Sequence, residues 1–434
     1  MQVVRGPRQV GKTTAVLQII EDLLVSGVAP TDLLLLRFDL QVLREVGGLL
    51  GVIAWYEQEI RGRPLHEGAP AYLFLDEVHK LPRWSDEVKH LTETAPAKLL
   101  ITGSSSVLVA KGARESLAGR VITTEFPPFL FREVLEAWHP ALVPPTPPLR
   151  FLGAFDPAVA STFAEIHRFA RDRAPALALV LDRYYARGGY PRMHSGEVDD
   201  DMWADYLTET VFERVLGVDL PDLFPIEQPR LLRHLYLSVA RRTGQEITQV
   251  HLAEEANAHG LRTNQPTVGR YLHYLADALL IREFRRYPLA RAATARLPVK
   301  ITLTDLGVRN AIIRGAPSLL ESAPDVVGPL VETLVQTVIR DVDLAVHFAR
   351  ERLDPKDRRS AFTEVDFVAE RTDGAVLPIE VKFRRTIDRD DVLGLARFIE
   401  RHGSQWGLLV TRDTYRAVEN KVLQIPLCEF LLAF

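Results

Sequence analysis

Cysteine is nearly absent: Cys428 stands alone among 434 residues. One thiol excludes an internal disulfide and any cysteine-rich zinc site. Long apolar runs are missing as well. No window reaches the roughly 20 uninterrupted apolar residues that a membrane-spanning helix needs, and no apolar segment follows a basic N-terminus. The chain therefore reads as cytoplasmic and unprocessed, with no membrane partner. Nor does one sign of charge dominate. A formal net charge of −4 gives no global attraction to nucleic acid, so any DNA contact has to come from a local basic patch. What remains is an ordinary globular composition, 47% hydrophobic and 25% charged. At roughly 150 residues per domain, the length predicts about three domains.

The chain opens almost directly on a motif. A short apolar run, MQVVR, leads into Gly6-Pro7-Arg8-Gln9-Val10-Gly11-Lys12-Thr13, and a helical pattern, TAVLQIIEDLL from Thr14, follows at once. This is GxxxxGK[ST] between a strand and a helix, the Walker A context. Glycines let successive backbone N–H groups face phosphate oxygens at a helix N-terminus. Lys12 reaches the β- and γ-phosphates, and the Thr13 hydroxyl ligates Mg²⁺. After a second strand, LLLLRFDL, the run Tyr72-Leu73-Phe74-Leu75-Asp76-Glu77 ends in two carboxylates, the Walker B pattern. There Asp76 holds the Mg²⁺ and Glu77 polarises the attacking water, which predicts ATP hydrolysis rather than storage. A further strand, KLLITGSS, places Ser104 and Ser105 where the γ-phosphate is expected. Two roles are open for them, a polar sensor of phosphate state or a plain helix N-cap.

From Pro127 to about Leu223 helical patterns dominate, interrupted by a proline cluster over 140–148 and by Gly188-Gly189-Tyr190-Pro191-Arg192. This predicts a helical lid and connector. From Gln228 the pattern becomes three helices, the third near Gln265–Ala278 with Thr263 and Asn264 as candidate caps, then two strands. That order predicts a winged helix-turn-helix. The third helix offers only Arg270 and His273 for reading bases. The wing carries Arg282, Arg285, Arg286, Arg291, Arg296 and Lys300, with Glu283 the acid among them. Such a cluster would neutralise phosphates without sequence preference; a solvated charged face or a protein-docking surface are the alternatives.

The last third alternates as half-buried strands do. Glu364-Val365-Asp366-Phe367-Val368 and Leu377-Pro378-Ile379-Glu380-Val381-Lys382-Phe383 flank a turn at Asp373-Gly374. Period-2 geometry puts Leu377, Ile379, Val381 and Phe383 on one face and Glu380 with Lys382 on the other, with Asp366 opposite on the paired strand. Glu332, on the preceding helix, is placed to add a third carboxylate. Carboxylates and a lysine converging in this way would bind Mg²⁺ and orient a water against phosphate. The D…ExK spacing is that of the PD-(D/E)xK nucleases; a salt-bridged hairpin on an ordinary sheet is the alternative.

Taken together, GPRQVGKTT, LFLDEVHKLPRW, ITGSSS, LAGR, GGYPR, ITLTDLGVRNAI, GPLVET, EVDF and IEVKF, in this order across nearly the whole chain, resemble AAA-type ATP-binding proteins of bacteria and archaea. Their C-terminal half is a domain of unknown function with a winged helix and a restriction-endonuclease-like core. The resemblance implies an α/β chain: a P-loop AAA ATPase core over 1–126, a helical lid and connector over 127–225, a winged helix-turn-helix over 226–305 and a nuclease-like α/β domain over 306–434. It makes ATP and Mg²⁺ the expected cofactors and DNA and a homo-oligomer the expected partners. Arg120, at the end of ARESLAGR, stands where AAA proteins carry the arginine finger that reaches a neighbouring subunit's nucleotide; a cation at a helix C-terminus is the other reading. Two departures are visible. The family ordinarily has a helical segment before the first strand, and IEVKF is followed here by Arg384-Arg385 in place of smaller polar residues. The function expected is an ATP-hydrolysing, DNA-associated protein, with cleavage at Asp366, Glu380 and Lys382 open. The alternative is a nucleotide-gated regulatory switch that docks a protein and keeps a silent nuclease fold.

Overall fold

The β1 strand (Gln2–Arg5) is flanked on both sides by parallel partners, β4 (Lys98–Gly103) and β5 (Ile122–Glu125), with Val3 opposite Ile101 on one side and Thr123 on the other. Two more parallel strands, β2 (Leu33–Arg37) and β3 (Tyr72–Asp76), complete a five-stranded sheet in the order β2-β3-β4-β1-β5. All-parallel strands are covered on both faces and read as continuous apolar runs; in β3 the residues Leu73, Phe74, Leu75 and Asp76 are all buried. Helices α1 (Lys12–Val25), α2 (Gly48–Trp55) and α3 (Trp84–Thr94) belong to the same unit. Val52 and Ile53 of α2 and Val88 and Leu91 of α3 join the core of Val3, Leu73, Leu75, Leu99 and Ile101.

The structure, a computed structural model, describes residues 1–38, 48–81, 84–103, 121–287, 298–341, 343–352 and 362–434. The described chain divides into two compact units. The first is Met1–Pro127 with Glu213–Glu227 and Asp277–Leu279; the second is Pro128–Phe212, Gln228–Ala276 and Leu280–Phe434. Among the described residues no helix is long and apolar enough to cross a membrane.

The second unit holds helices α4 (Phe131–Trp138), α5 (Ala160–Arg171) and α6 (Ala174–Arg187), then α7 (Pro229–Arg241), α8 (Gln249–Ala258) and α9 (Gln265–Asp277). Asn264 caps α9, accepting a bond from the Thr267 N–H at 3.0 Å. Next come two antiparallel strands, β7 (Ile281–Tyr287) and β8 (Val299–Leu303), with β6 (Glu246–Ile247) added on the far side of β8. The remainder is α10 (Leu306–Ile313), α11 (Pro324–Val338), β9 (Leu344–Arg352), β10 (Phe362–Arg371), β11 (Val376–Lys382), α12 (Arg389–His402), β12 (Gly407–Thr411), β13 (Arg416–Glu419), β14 (Val422–Pro426) and α13 (Leu427–Ala433).

The sequence does not announce how these strands join. The β7 strand spends its first half, Ile281–Phe284, on β8 and its second half, Arg285–Tyr287, on β9. One nine-stranded sheet results, in the order β13-β14-β12-β11-β10-β9-β7-β8-β6. Alternation sorts its faces as period 2 requires. Phe367, Leu377, Ile379, Val381 and Phe383 face the larger core with α5, α6, α11 and α13, whereas Val368 and Val376 face Leu395, Phe398 and Ile399 of α12. Trp406 is 1% exposed in the larger core, and its indole N–H donates to the Ala154 carbonyl at 3.0 Å. Trp406→Ala is expected to destabilise this unit by about 3–5 kcal/mol, read as a lower urea midpoint of unfolding. A change under about 1 kcal/mol would mean that the ring is not packed as described.

Candidate nucleotide site and a carboxylate–lysine cluster

The loop that follows β1 is shaped by backbone demands. A Cβ on Gly6 would lie 2.0 Å from the Phe126 carbonyl oxygen, so only glycine lets the two segments approach. Gly11 caps α1 with φ 96°, a left-handed conformation that glycine adopts without strain. Pro7 and Val10 are buried, Gln9 and Thr14 face outward. The Lys12 ammonium, also buried, donates to the carbonyls of Gly6 (2.9 Å) and Pro7 (2.8 Å). Burial lowers its pKa from the usual lysine value, against the pull of Glu77 and Asp76.

Parallel pairing brings the carboxyl ends of β1, β4 and β3 side by side, which is where ligands sit in such sheets. Asp76, at the end of β3, is 1% exposed. Its Oδ2 accepts a bond from the Thr13 hydroxyl at 2.8 Å, and its Oδ1 accepts one from the Thr102 hydroxyl. The Arg37 guanidinium lies 3.9 Å from Oδ2. Glu77 follows in a left-handed turn (φ 56°); its N–H donates to Thr102 Oγ1 at 3.3 Å. Burial raises the Glu77 pKa, with Lys12 working in the opposite direction. His79 Nδ1 is 3.4 Å from Glu77 Oε2. Arg8 makes a two-pronged ion pair with Asp219, one prong at 2.6 Å.

The structure thus brings Gly6, Pro7, Gly11, Lys12, Thr13, Asp76 and Glu77 to one sheet edge. Ser104, Ser105 and Arg120 lie outside the described residues. Thr102 and Asp219 were not singled out in the sequence; the signal for Thr102 was its place on the strand between the two motif strands, two residues before the serines. The residues fit a magnesium nucleotide. A helix N-terminus with a buried lysine suits phosphate, and a hydroxyl beside a carboxylate is the oxygen donor set that Mg²⁺ takes.

In the second unit the three residues of the D…ExK pattern and the added Glu332 also meet, with a fifth residue, Lys300, that the pattern lacks. The β9–β10 register shifts between Val365 and Val368, an irregularity of the kind that re-aims a side chain, and Asp366 sits within it. The Val381 N–H donates to Asp366 Oδ2 at 2.9 Å, and the Asp366 N–H donates to Glu380 Oε2 at 3.1 Å. Lys382 pairs with Glu380 Oε1. Lys300, from β8, has its ammonium 2.5 Å from Glu332 Oε2 and 2.9 Å from Asp366 Oδ1. Burial raises the pKa of Glu332 and of Glu380, and the neighbouring Asp366 charge adds to this. Burial opposes the Lys300 charge, but Asp366 and Glu332 more than offset it and hold its pKa above the usual lysine range.

Five of the six oxygens of these carboxylates, all but Glu332 Oε1, are thus engaged by two ammonium groups and two backbone N–H donors. Among the described residues no group of three or more His, Cys, Asp or Glu is arranged to hold a metal ion.

Of the wing cations, Lys300 is 6% exposed and so is not available to phosphates. Arg282 turns inward too, donating to the Gln336 carbonyl at 2.9 Å and the Ile339 carbonyl at 3.2 Å. Arg285 and Arg286 are exposed, as are Arg270 and His273 on α9. Arg291 and Arg296 lie outside the described residues. Arg384 pairs with Asp391 and Asp388.

Comparison with known families agrees with the first unit. The model of an AAA domain matches residues 1–135, and that of a domain of unknown function (DUF8612) matches residues 179–318. The N-terminal part is thus an AAA-type P-loop ATPase domain. An uncharacterized protein of Haemophilus influenzae is 20% identical over 397 residues, covering 91% of this chain and 86% of its own. An uncharacterized protein of Mycobacterium tuberculosis is 24% identical over 315 residues, 71% of this chain and 55% of its own. Among solved structures, a Walker-type ATPase of Pyrococcus abyssi aligns with 72% of this chain and 90% of its own at 13% identity and a TM-score of 0.38.

Gly6→Ala is expected to weaken binding of a fluorescent ATP analogue at least about tenfold, or about 1.4 kcal/mol, with the far-UV circular dichroism retained. Unchanged affinity would show that the close approach to Phe126 is not needed for the site.

Proposed function

We propose that this protein binds and hydrolyses ATP and couples that cycle to association with DNA. The observation that carries the first half is the meeting of Lys12, Thr13, Asp76 and Glu77 at the carboxyl ends of adjacent parallel strands. Bound nucleotide supplies the phosphoanhydride bond, and its Mg²⁺ neutralises phosphate charge. The backbone N–H groups that open α1 and the Lys12 ammonium bind the phosphates. Thr13 and Asp76 hold the cation. Burial makes the Glu77 carboxylate a stronger base than an exposed one, as positioning a water for attack requires. Ser104 as phosphate sensor and Arg120 as a finger toward a second copy complete the proposed machinery, and the latter makes a homo-oligomer the working assembly.

The DNA half is supported by α7, α8, α9 and the β7–β8 pair, whose order is that of a winged helix, and by the exposed Arg270, Arg285 and Arg286. A nuclease-like core following that module is consistent with a DNA substrate. One observation favours a second reading, a nucleotide-gated switch with a silent nuclease fold: Lys300 sits in the carboxylate cluster.

Two experiments test this. Glu77→Gln is expected to retain ATP binding and lose hydrolysis by about 100-fold or more, and Lys12→Ala to lose binding; a Glu77→Gln protein with full phosphate release would end the assignment. Binding of a short duplex should weaken with salt, log K falling by about 0.9 per phosphate contacted for each decade of salt. Arg285→Glu with Arg286→Glu should flatten that slope. No binding at low salt, or a slope unmoved by both substitutions, would leave the protein-docking switch as the reading.

A further inference from the structure

The D…ExK pattern leads one to expect carboxylates waiting for a metal, and the side chains tell a different story. We infer that Lys300 is the resident cation of the Glu332–Asp366–Glu380 cluster and closes it to divalent metal. The inference deepens the second reading above, and it does not depend on ATP hydrolysis: an inactive ATPase would leave it standing.

The geometry accounts for five of the six oxygens, all but Glu332 Oε1. Glu332 Oε2 and Asp366 Oδ1 face the Lys300 ammonium at 2.5 and 2.9 Å. Asp366 Oδ2 accepts from the Val381 N–H, Glu380 Oε2 from the Asp366 N–H, and Glu380 Oε1 from Lys382. A hard divalent cation takes six or more oxygen ligands, at least one or two of them protein carboxylates. Here it would have to break those bonds and approach a fixed positive charge, since a like charge at contact distance is strongly repelled in a low-dielectric site.

Lys300 is also not free to step aside. Its backbone is paired on both edges of β8, with Glu246 of β6 and Phe284 of β7 as register partners. Its ammonium lies 5.1 Å from the centroid of the Phe367 ring, a position in which the ring face attracts a cation. The side chain is 7% exposed. Withdrawing it would leave Glu332 and Asp366, whose side chains are 15% and 14% exposed, without the ammonium they contact, and breaking a largely buried ion pair is far more damaging than exchanging the whole pair. What the cluster does instead is tie four segments, β8, α11, β10 and β11, to one point. Lys300 acts as a positioning residue there, and no bond-making role follows from it.

The test is Mn²⁺ binding, measured by titration calorimetry on the nucleotide-free full chain. Wild type is expected to show no heat assignable to this cluster at sub-millimolar Mn²⁺. Lys300→Gln, which removes the charge while keeping a polar end, is expected to gain a Mn²⁺ site at least tenfold tighter than anything in wild type, and Lys300→Gln with Asp366→Asn to lose it again. Circular dichroism and the urea midpoint establish that the variants fold. Two results overturn the inference: a wild-type Mn²⁺ site abolished by Asp366→Asn, or a folded Lys300→Gln that gains none. If Lys300→Gln fails to fold, the wild-type and Asp366→Asn titrations still decide, because wild-type binding at Asp366 is excluded by the inference.

Discussion

A carboxylate taken out of water has to be given a partner, and the chemistry of both candidate sites follows from which partner it receives. An unpaired buried carboxylate costs several kcal/mol even after relaxation. Asp76 is 1% exposed and the Asp366 side chain 14%, and each has both carboxylate oxygens partnered. Asp76 is answered chiefly by the hydroxyls of Thr13 and Thr102. Asp366 is answered by the Lys300 ammonium and the Val381 N–H.

The difference decides what can enter. A hydroxyl is neutral and serves as donor or acceptor, so Thr13 can turn a lone pair to a metal ion that Asp76 also holds, and neither group is orphaned by the exchange. Lys12 is similarly placed: its ammonium rests on the Gly6 and Pro7 carbonyls, partners that belong to the same loop. The Lys300 ammonium has no lone pair to offer. Anything cationic that approaches Asp366 must displace it, and removing one partner of a buried pair costs about 3–5 kcal/mol. One site is thus built to exchange partners, the other to keep them.

This contrast explains what was legible in the sequence. Lys12, Thr13, Asp76 and Glu77 stand at fixed offsets from strands whose apolar runs declare themselves, so local spacing places them. Period 2 likewise assigns Leu377, Ile379 and Val381 to one face of β11 and Glu380 and Lys382 to the other. Lys300 and Arg282 could not be placed in this way. On a short strand, the choice between solvent and interior depends on which strand comes to lie alongside, and the parallel pairing of β7 with β9 has no local signature. Both were counted among phosphate-neutralising cations, and both are consumed inside the fold. Asp219 was invisible for a related reason: 211 residues separate it from Arg8, and nothing in either segment refers to the other. The bulge that turns Asp366 leaves no mark on an alternation that looks regular.

Equilibrium dialysis of the full chain against Mn²⁺, with and without ATP, tests the central claim most directly. The account predicts stoichiometric Mn²⁺ retained with the protein only when ATP is present, and lost again in Asp76→Ala. Mn²⁺ retained without nucleotide, insensitive to Asp76→Ala and lost in Asp366→Asn, would contradict it, because the C-terminal cluster would then be the metal centre that its two lysines are held here to preclude.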